Sequence, residues 1–244
     1  MCARSIFQVQ TNSTERAPLI VLFQDDQLIA VDKPAGIPAQ PDRTGDRSVF
    51  DDVKELVGVD RSASIGGPHR LDRPVSGVML FTQDAYALRV MNERFRDGAV
   101  RKIYLAMVEG RPPEEGRCDH RLMHSAGTRK TRVIEEENED ARDASLSYRT
   151  IAVGDRFSLL RVEPEGGAFH QIRSQLAAIG FPIKGDVKYG ARRGEPDRSI
   201  ALHASHMEFA HPVSGAPMVI EAPFPTRGIW PKMQALIDPA KVDR

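Results

Sequence analysis

The chain has 244 residues, 41% of them hydrophobic, and its 34 basic and 34 acidic side chains cancel to a formal net charge of zero. That length supports a substantial core in one large domain or two small ones, and the composition excludes collagen, coiled coil and intrinsic disorder. Zero net charge argues against a generic polyanion binder, whose footprint is a basic excess. The charge is nevertheless uneven: Arg89, Arg94, Arg96, Arg101 and Lys102 crowd one region, Arg129, Lys130 and Arg132 another, and the run from Glu135 to Asp140 holds much of the opposing charge. No window reaches the roughly 18 apolar residues of a membrane helix, and the polar start lacks a signal-peptide core. The two cysteines, Cys2 and Cys118, make no disulfide framework, so a soluble cytoplasmic protein is expected.

Residues 1–17 read as a flexible tail. Leu19 to Phe23 and Leu28 to Val31 are short apolar runs split by Asp25-Asp26, the pattern of a hairpin. Asp32 to Pro38 is a constrained loop rich in proline and glycine. Its Lys33 reads as an ordinary surface lysine and not as a catalytic group. Ser48 can cap a helix from Val49 to Val57 that Gly58 ends.

The next segment, His69-Arg70-Leu71-Asp72-Arg73-Pro74-Val75-Ser76-Gly77, sets one carboxylate between two arginines. Pro74 biases Arg73 away from the helical region, which puts Asp72 in an extended or turned stretch. Taken alone, this is most often a solvated ion pair. Gly77 to Thr82 follows as an apolar strand. Asp84 caps a helix to about Arg96, with Leu88, Met91 and Phe95 as its core stripe. Gly98 precedes a strand from Val100 to Val108, on which Lys102 and Tyr104 share a face.

From Arg111 to Ala144 the chain is polar and charged and reads as a loop or hairpin inserted at the surface. Cys118, His120 and His124 lie close together there, but a structural zinc site normally takes four ligands and no second Cys or His pair is near, so no metal is expected. Leu146 to Val153 and Phe157 to Val162 are strands joined by a turn at Gly154-Asp155. Gly166 to Gly180 is a glycine-led helix carrying His170-Gln171-Ile172-Arg173, followed by Pro182-Ile183-x-Gly185-Asp186-x-x-Tyr189-Gly190. Ala201 to Ala204 and Phe209 mark a late strand, and Pro231 to Asp238 a short terminal helix. A serine hydrolase elbow is absent around Ser76, and Gly180 to Gly185 lacks the lysine of a phosphate-binding loop.

Taken in order, Lys33-Pro34-x-Gly36, His69 to Gly77, Lys102-x-Tyr104 and His170 to Arg173 with its glycine-rich sequel resemble the motifs of the RluA-type pseudouridine synthases, which isomerise uridine in ribosomal and transfer RNA. The resemblance implies an α+β fold: a mixed, largely antiparallel sheet in two halves, flanked by helices, with a central active-site cleft. It covers a catalytic domain at 18–230, without the small RNA-binding domain many relatives carry, and leaves 231–244 as a tail or short helix. It implies that Asp72, Tyr104 and Arg173 are catalytic, the arginine lying beside the aspartate and the tyrosine against the base. Arg70, His69, Lys102, His170 and Gln171 become substrate-binding candidates. Because the reaction gains no atom and transfers no electron, no cofactor is implied. The expected partner is RNA, bound by a monomer with no obligate protein partner. One departure stands out, since Gly166-Gly167-Ala168 replaces the usual Thr-Gly-Arg. The alternative is an RNA-binding or RNA-folding protein that keeps this fold without the chemistry.

Overall fold

The computed structural model describes residues 7–8, 18–58, 62–125, 127–136 and 138–241. They fall into two units, one within Met1–Arg101 and Ala204–Pro223, the other within Lys102–His203 and Phe224–Arg244. The fold is α+β with a mostly antiparallel sheet, as expected. Of the predicted tail, only β1 (Phe7–Gln8) lies within the described residues, pairing with Val21 and Ile20.

In the first unit, β2 (Ile20–Gln24), β3 (Leu28–Lys33) and β4 (Ser76–Thr82) pair antiparallel in that order. Next to β4 runs β10 (Leu202–Ala210), which carries β11 (Pro217–Glu221). The β2–β3 hairpin turns at Asp25, whose Oδ1 accepts the N–H groups of Gln27 and Leu28 at 2.9 and 2.7 Å. Helix α1 (Val49–Val57) opens with the predicted Ser48 cap, here a full capping box with Asp51. Helix α2 (Ala85–Arg96) opens on Asp84, which accepts the Ala87 N–H at 2.7 Å.

Alternation along the strands divides the core between two faces. Leu28, Ala30, Val78 and Leu80 pack with Met91 of α2 and with Met207, Phe209 and Ile220. On the opposite face Phe81 meets Phe50 of α1, ring centres 6.0 Å apart. A helix on each face explains why β3 and β4 read as almost unbroken apolar runs. Gly77 is fixed by a close approach: a Cβ there would lie 2.2 Å from the Ala204 carbonyl oxygen of β10.

In the second unit β5 (Arg101–Glu109), β9 (Phe157–Glu165), β8 (Arg142–Val153), β6 (Glu115–Ser125) and β7 (Lys130–Ile134) follow one another, each pair antiparallel. The polar stretch 111–144 thus forms β6 and β7 and begins β8. It conceals Cys118, Leu122, Thr131 and Ala144 beneath an exposed face laced with ion pairs such as Arg117–Glu165 and Arg149–Glu115. Helix α3 (Gln171–Ala178) is shorter than predicted. Gly166 has a positive φ of 87° and His170 a left-handed φ of 55°, so the helix cannot begin before Gln171. The C-terminal helix, α4, spans Trp230–Gln234.

Two glycines with positive φ separate steric from conformational cost. Gly77→Ala is expected to destabilise the protein by about 3 kcal/mol or more, because strand backbone blocks the new methyl. Gly98→Ala, where φ is 73° and nothing lies within 4 Å of the new Cβ, should cost only about 1 kcal/mol. Urea unfolding midpoints of the two variants check that order.

Candidate functional site

The segment from Gly66 to Ser76 has little regular structure, so its shape is set by ties to the sheet. Gly66 and Thr82 exchange backbone hydrogen bonds of 2.9 and 2.8 Å, anchoring the loop to the end of β4. His69 Nε2 accepts the Leu80 N–H at 2.9 Å, and its ring stacks on Phe95 with centroids 4.7 Å apart. This bond makes His69 a fastener of the loop. Asp72 and Val75 close a turn through a 3.0 Å bond, so Asp72 stands at a bend, half-buried, while Arg70 is exposed.

Arg73 clasps the neighbouring loop from Pro34 to Asp46. Its Nε donates to the Gly36 carbonyl at 2.9 Å, the Gly36 N–H donates to the Arg73 carbonyl at 2.8 Å, and the guanidinium pairs with Asp46. Gly36 makes this possible with a φ of 86°.

Lys33 corrects the sequence reading. It is 0% exposed, and its ammonium donates to the carbonyls of Pro34, Arg73 and Val75 at 2.9, 3.2 and 2.7 Å. On β3 the side chain shares the inward face with Ile29 and Val31, so alternation carries it under the loop and away from solvent. Burial pushes its pKa down to about 7, against the opposing pull of Asp72 and Asp32. Three carbonyls match the three protons of an ammonium, one more than a neutral amine offers. The adjoining Asp32 is pushed up to about 6 by its own burial, with Lys33 and the Gly77 N–H opposing. The signal in the sequence was the last position of an apolar strand followed at once by proline.

In the second unit Tyr104 lies on β5 opposite Val162 and is half-buried. Lys102, on the same face, donates to the Gly166 carbonyl, and burial lowers its pKa. That bond holds the Gly166-Gly167-Ala168 turn. Gln171 is 4% exposed, its Oε1 accepts from the Ala168 N–H at 3.1 Å, and its Nε2 donates to the carbonyls of Ser145 and Glu165 at 2.9 and 3.3 Å. Both ends of the amide therefore bind backbone, making Gln171 a clasp between α3 and the sheet.

Arg173 is buried and forms a bidentate pair with Asp186, Nε to Oδ2 at 2.7 Å and Nη2 to Oδ1 at 2.9 Å. His170 Nδ1 lies 2.8 Å from the Tyr189 hydroxyl. Asp186 and Tyr189 were absent from the predicted site, although both belong to the quoted glycine-rich sequel. Cys118 is buried, which raises its thiol pKa to about 11 and leaves it unreactive. Among the described residues no cluster of three or more His, Cys, Asp or Glu is arranged to hold a metal ion.

Residues 27–178 match the family described as RNA pseudouridylate synthase. The chain is 29% identical over 228 residues to ribosomal large subunit pseudouridine synthase D of Zymomonas mobilis, covering 88% of this chain and 72% of that protein. It is 32% identical over 225 residues to tRNA pseudouridine synthase C of Salmonella typhimurium, covering 84% and 85%. In fold it resembles human RNA pseudouridylate synthase domain containing 1, with a TM-score of 0.71, 19% identity, and 93% and 97% of the two chains covered.

Two measurements test the account of Lys33 and Asp32. Lys33→Met keeps the length of the side chain but leaves the Pro34, Arg73 and Val75 carbonyls without their donor, so a loss of about 2–4 kcal/mol is expected in chemical unfolding. Asp32 holds its proton more tightly folded, at about 6, than at its ordinary 3.8. Its contribution to stability is therefore complete below pH 3.8 and is lost as pH rises through 6. Asp32→Asn should flatten that fall, read as the wild-type minus variant difference in unfolding free energy across the interval.

Proposed function

We propose that this chain, which belongs to the RNA pseudouridylate synthase family, isomerises uridine in ribosomal or transfer RNA with Asp72 as the reacting carboxylate. Family membership makes it an isomerase that converts uridine to pseudouridine in RNA. The reaction breaks the bond from N1 to the sugar carbon, turns the base, and joins C5 to the same carbon; the C5 proton leaves and N1 gains one. No oxidant or reductant enters.

The observation that carries the assignment of Asp72 is its loop. Ties from Lys33, His69, Arg73 and Gly66 converge on a bend whose only carboxylate is half-buried, with a buried ammonium acting on it. A carboxylate held in this way is preorganised to serve the sugar carbon covalently or electrostatically as N1 departs. The target uridine is flipped from its stack, since its reacting atoms are shielded in a helix. Tyr104 offers the base a flat ring and a hydroxyl, and exposed Arg70 takes the space near the vacated stack. Arg173, its guanidinium held by Asp186, is assigned the charge-assisted role beside the reacting carboxylate.

RNA binding by a chain of zero net charge is supported by where uncommitted cations lie. Many surface arginines are paired with carboxylates, as Arg117, Arg121 and Arg149 are. Arg129, Lys130 and Arg132, at the turn between β6 and β7, have no carboxylate partner among the described residues. A local basic patch of this kind gives phosphate contact without an overall basic excess.

Asp72→Asn, nearly equal in shape, is expected to keep RNA affinity within about twofold while pseudouridine formation falls roughly a thousandfold or more. Tritium release from RNA labelled at uridine C5 reads the reaction, with total RNA from cells lacking the protein as substrate. Substantial release by the variant would sink the assignment.

A further inference from the structure

We propose that Tyr189 is the positioning residue of Arg173, and that it ties the plane of that guanidinium to strand β7. The inference rests on the reading above, in which Arg173 serves the reaction.

A bidentate carboxylate pair fixes the edge of a guanidinium but leaves it able to fold about the line of its two hydrogen bonds. Asp186 provides that edge contact, at 2.7 and 2.9 Å. The Tyr189 ring adds a second contact, with Arg173 Cζ over the ring and 5.0 Å from its centroid. Both groups come from one tight turn. Val187–Tyr189 forms a single turn of 3-10 helix, and the Tyr189 N–H donates to the Asp186 carbonyl at 2.9 Å. The turn therefore holds Arg173 through a carboxylate and an aromatic ring at once.

The ring is itself held at its far end. The Tyr189 hydroxyl oxygen accepts the backbone N–H of Thr131 at 2.9 Å and lies 2.8 Å from His170 Nδ1. Thr131 belongs to β7 and also donates its hydroxyl to the Phe169 carbonyl at 2.6 Å. The Lys188 ammonium, from the same turn as Tyr189, donates to the Arg129 carbonyl at 2.5 Å. Two residues of the gripping turn are thus fastened to the β6–β7 hairpin. Movement of β7 would reach the guanidinium through one hydroxyl. The uncommitted cations Arg129, Lys130 and Arg132 stand on that hairpin, so RNA held there bears on the orientation of Arg173.

Tyr189→Phe keeps the ring and removes the hydroxyl contacts to the Thr131 N–H of β7 and to His170 Nδ1. Expected are a folded variant, a kcat lower by about 10- to 100-fold, and a KM for RNA within about twofold of wild type. The Arg173 Nε–H signal in a proton–nitrogen spectrum should broaden or shift as the guanidinium plane loosens. A kcat within twofold of wild type overturns the proposal, as does a reduced kcat with an unmoved Arg173 signal. A variant that fails to fold at 25 °C makes Tyr189 a structural residue and also overturns it. If wild-type protein forms no pseudouridine in any RNA, the functional reading fails, and the Arg173 signal alone decides whether Tyr189 holds the guanidinium.

Discussion

A buried ammonium must find acceptors in fixed places, and Lys33 finds them in the backbone of its own turn and of the Asp72 loop. Taking that charge out of water is costly, and its three hydrogen bonds offset the cost only while Arg73 and Val75 hold their carbonyls toward it. The loop has no strand or helix of its own to shape it. It depends on the lysine as the lysine depends on it. The Arg73 clasp on Gly36 and the His69 bond to Leu80 then stop the loop from sliding along the sheet edge. The bend at Asp72 follows from these ties.

The second unit uses the same economy with different groups. Gln171 and Gln175 are buried amides that bind backbone carbonyls of the sheet, Gln175 reaching those of Cys118 and Ala144 at 3.0 and 2.8 Å. A helix of eight residues is too short to be stable alone, and these bonds lock it where its apolar positions cannot. Arg173 is delivered by this locked helix into a buried pair with Asp186. The guanidinium is thus fixed in place by the helix on one side and the carboxylate on the other.

The charge balance takes on a meaning that composition alone concealed. Ion pairs on the exposed faces of β6, β8 and β9 neutralise one another and keep the sheet surface soluble without marking it as a binding face. What differs is the β6–β7 hairpin, where Arg129, Lys130 and Arg132 have no carboxylate partner among the described residues. Counting charges would have missed this, because an RNA contact depends on which cations are left unpaired.

Some of the molecule was legible because its causes are local. A serine with an acid three residues on, an aspartate before an apolar stripe, and bulky apolar runs of strand length each act within a few residues, so α1, α2, β3 and β4 lie where periodicity put them. The order of motifs identified the family for the same reason, since each motif is a short loop or strand end with its own chemistry. Other features arise from residues distant in sequence. Lys33 looked like a surface lysine because two of the three carbonyls that solvate it lie about forty residues away. No local pattern marks Gln171 as a clasp, because the Ser145 carbonyl it binds lies 26 residues earlier in the chain, and the β6–β7 hairpin carries polar residues on its wet face. The sequence by itself determined the reaction class and elements such as α1, α2, β3 and β4, through hydrogen bonds and periodicities that span a turn. Tertiary structure alone decided which polar side chains are fasteners, because burial and partners depend on contacts that no local pattern encodes.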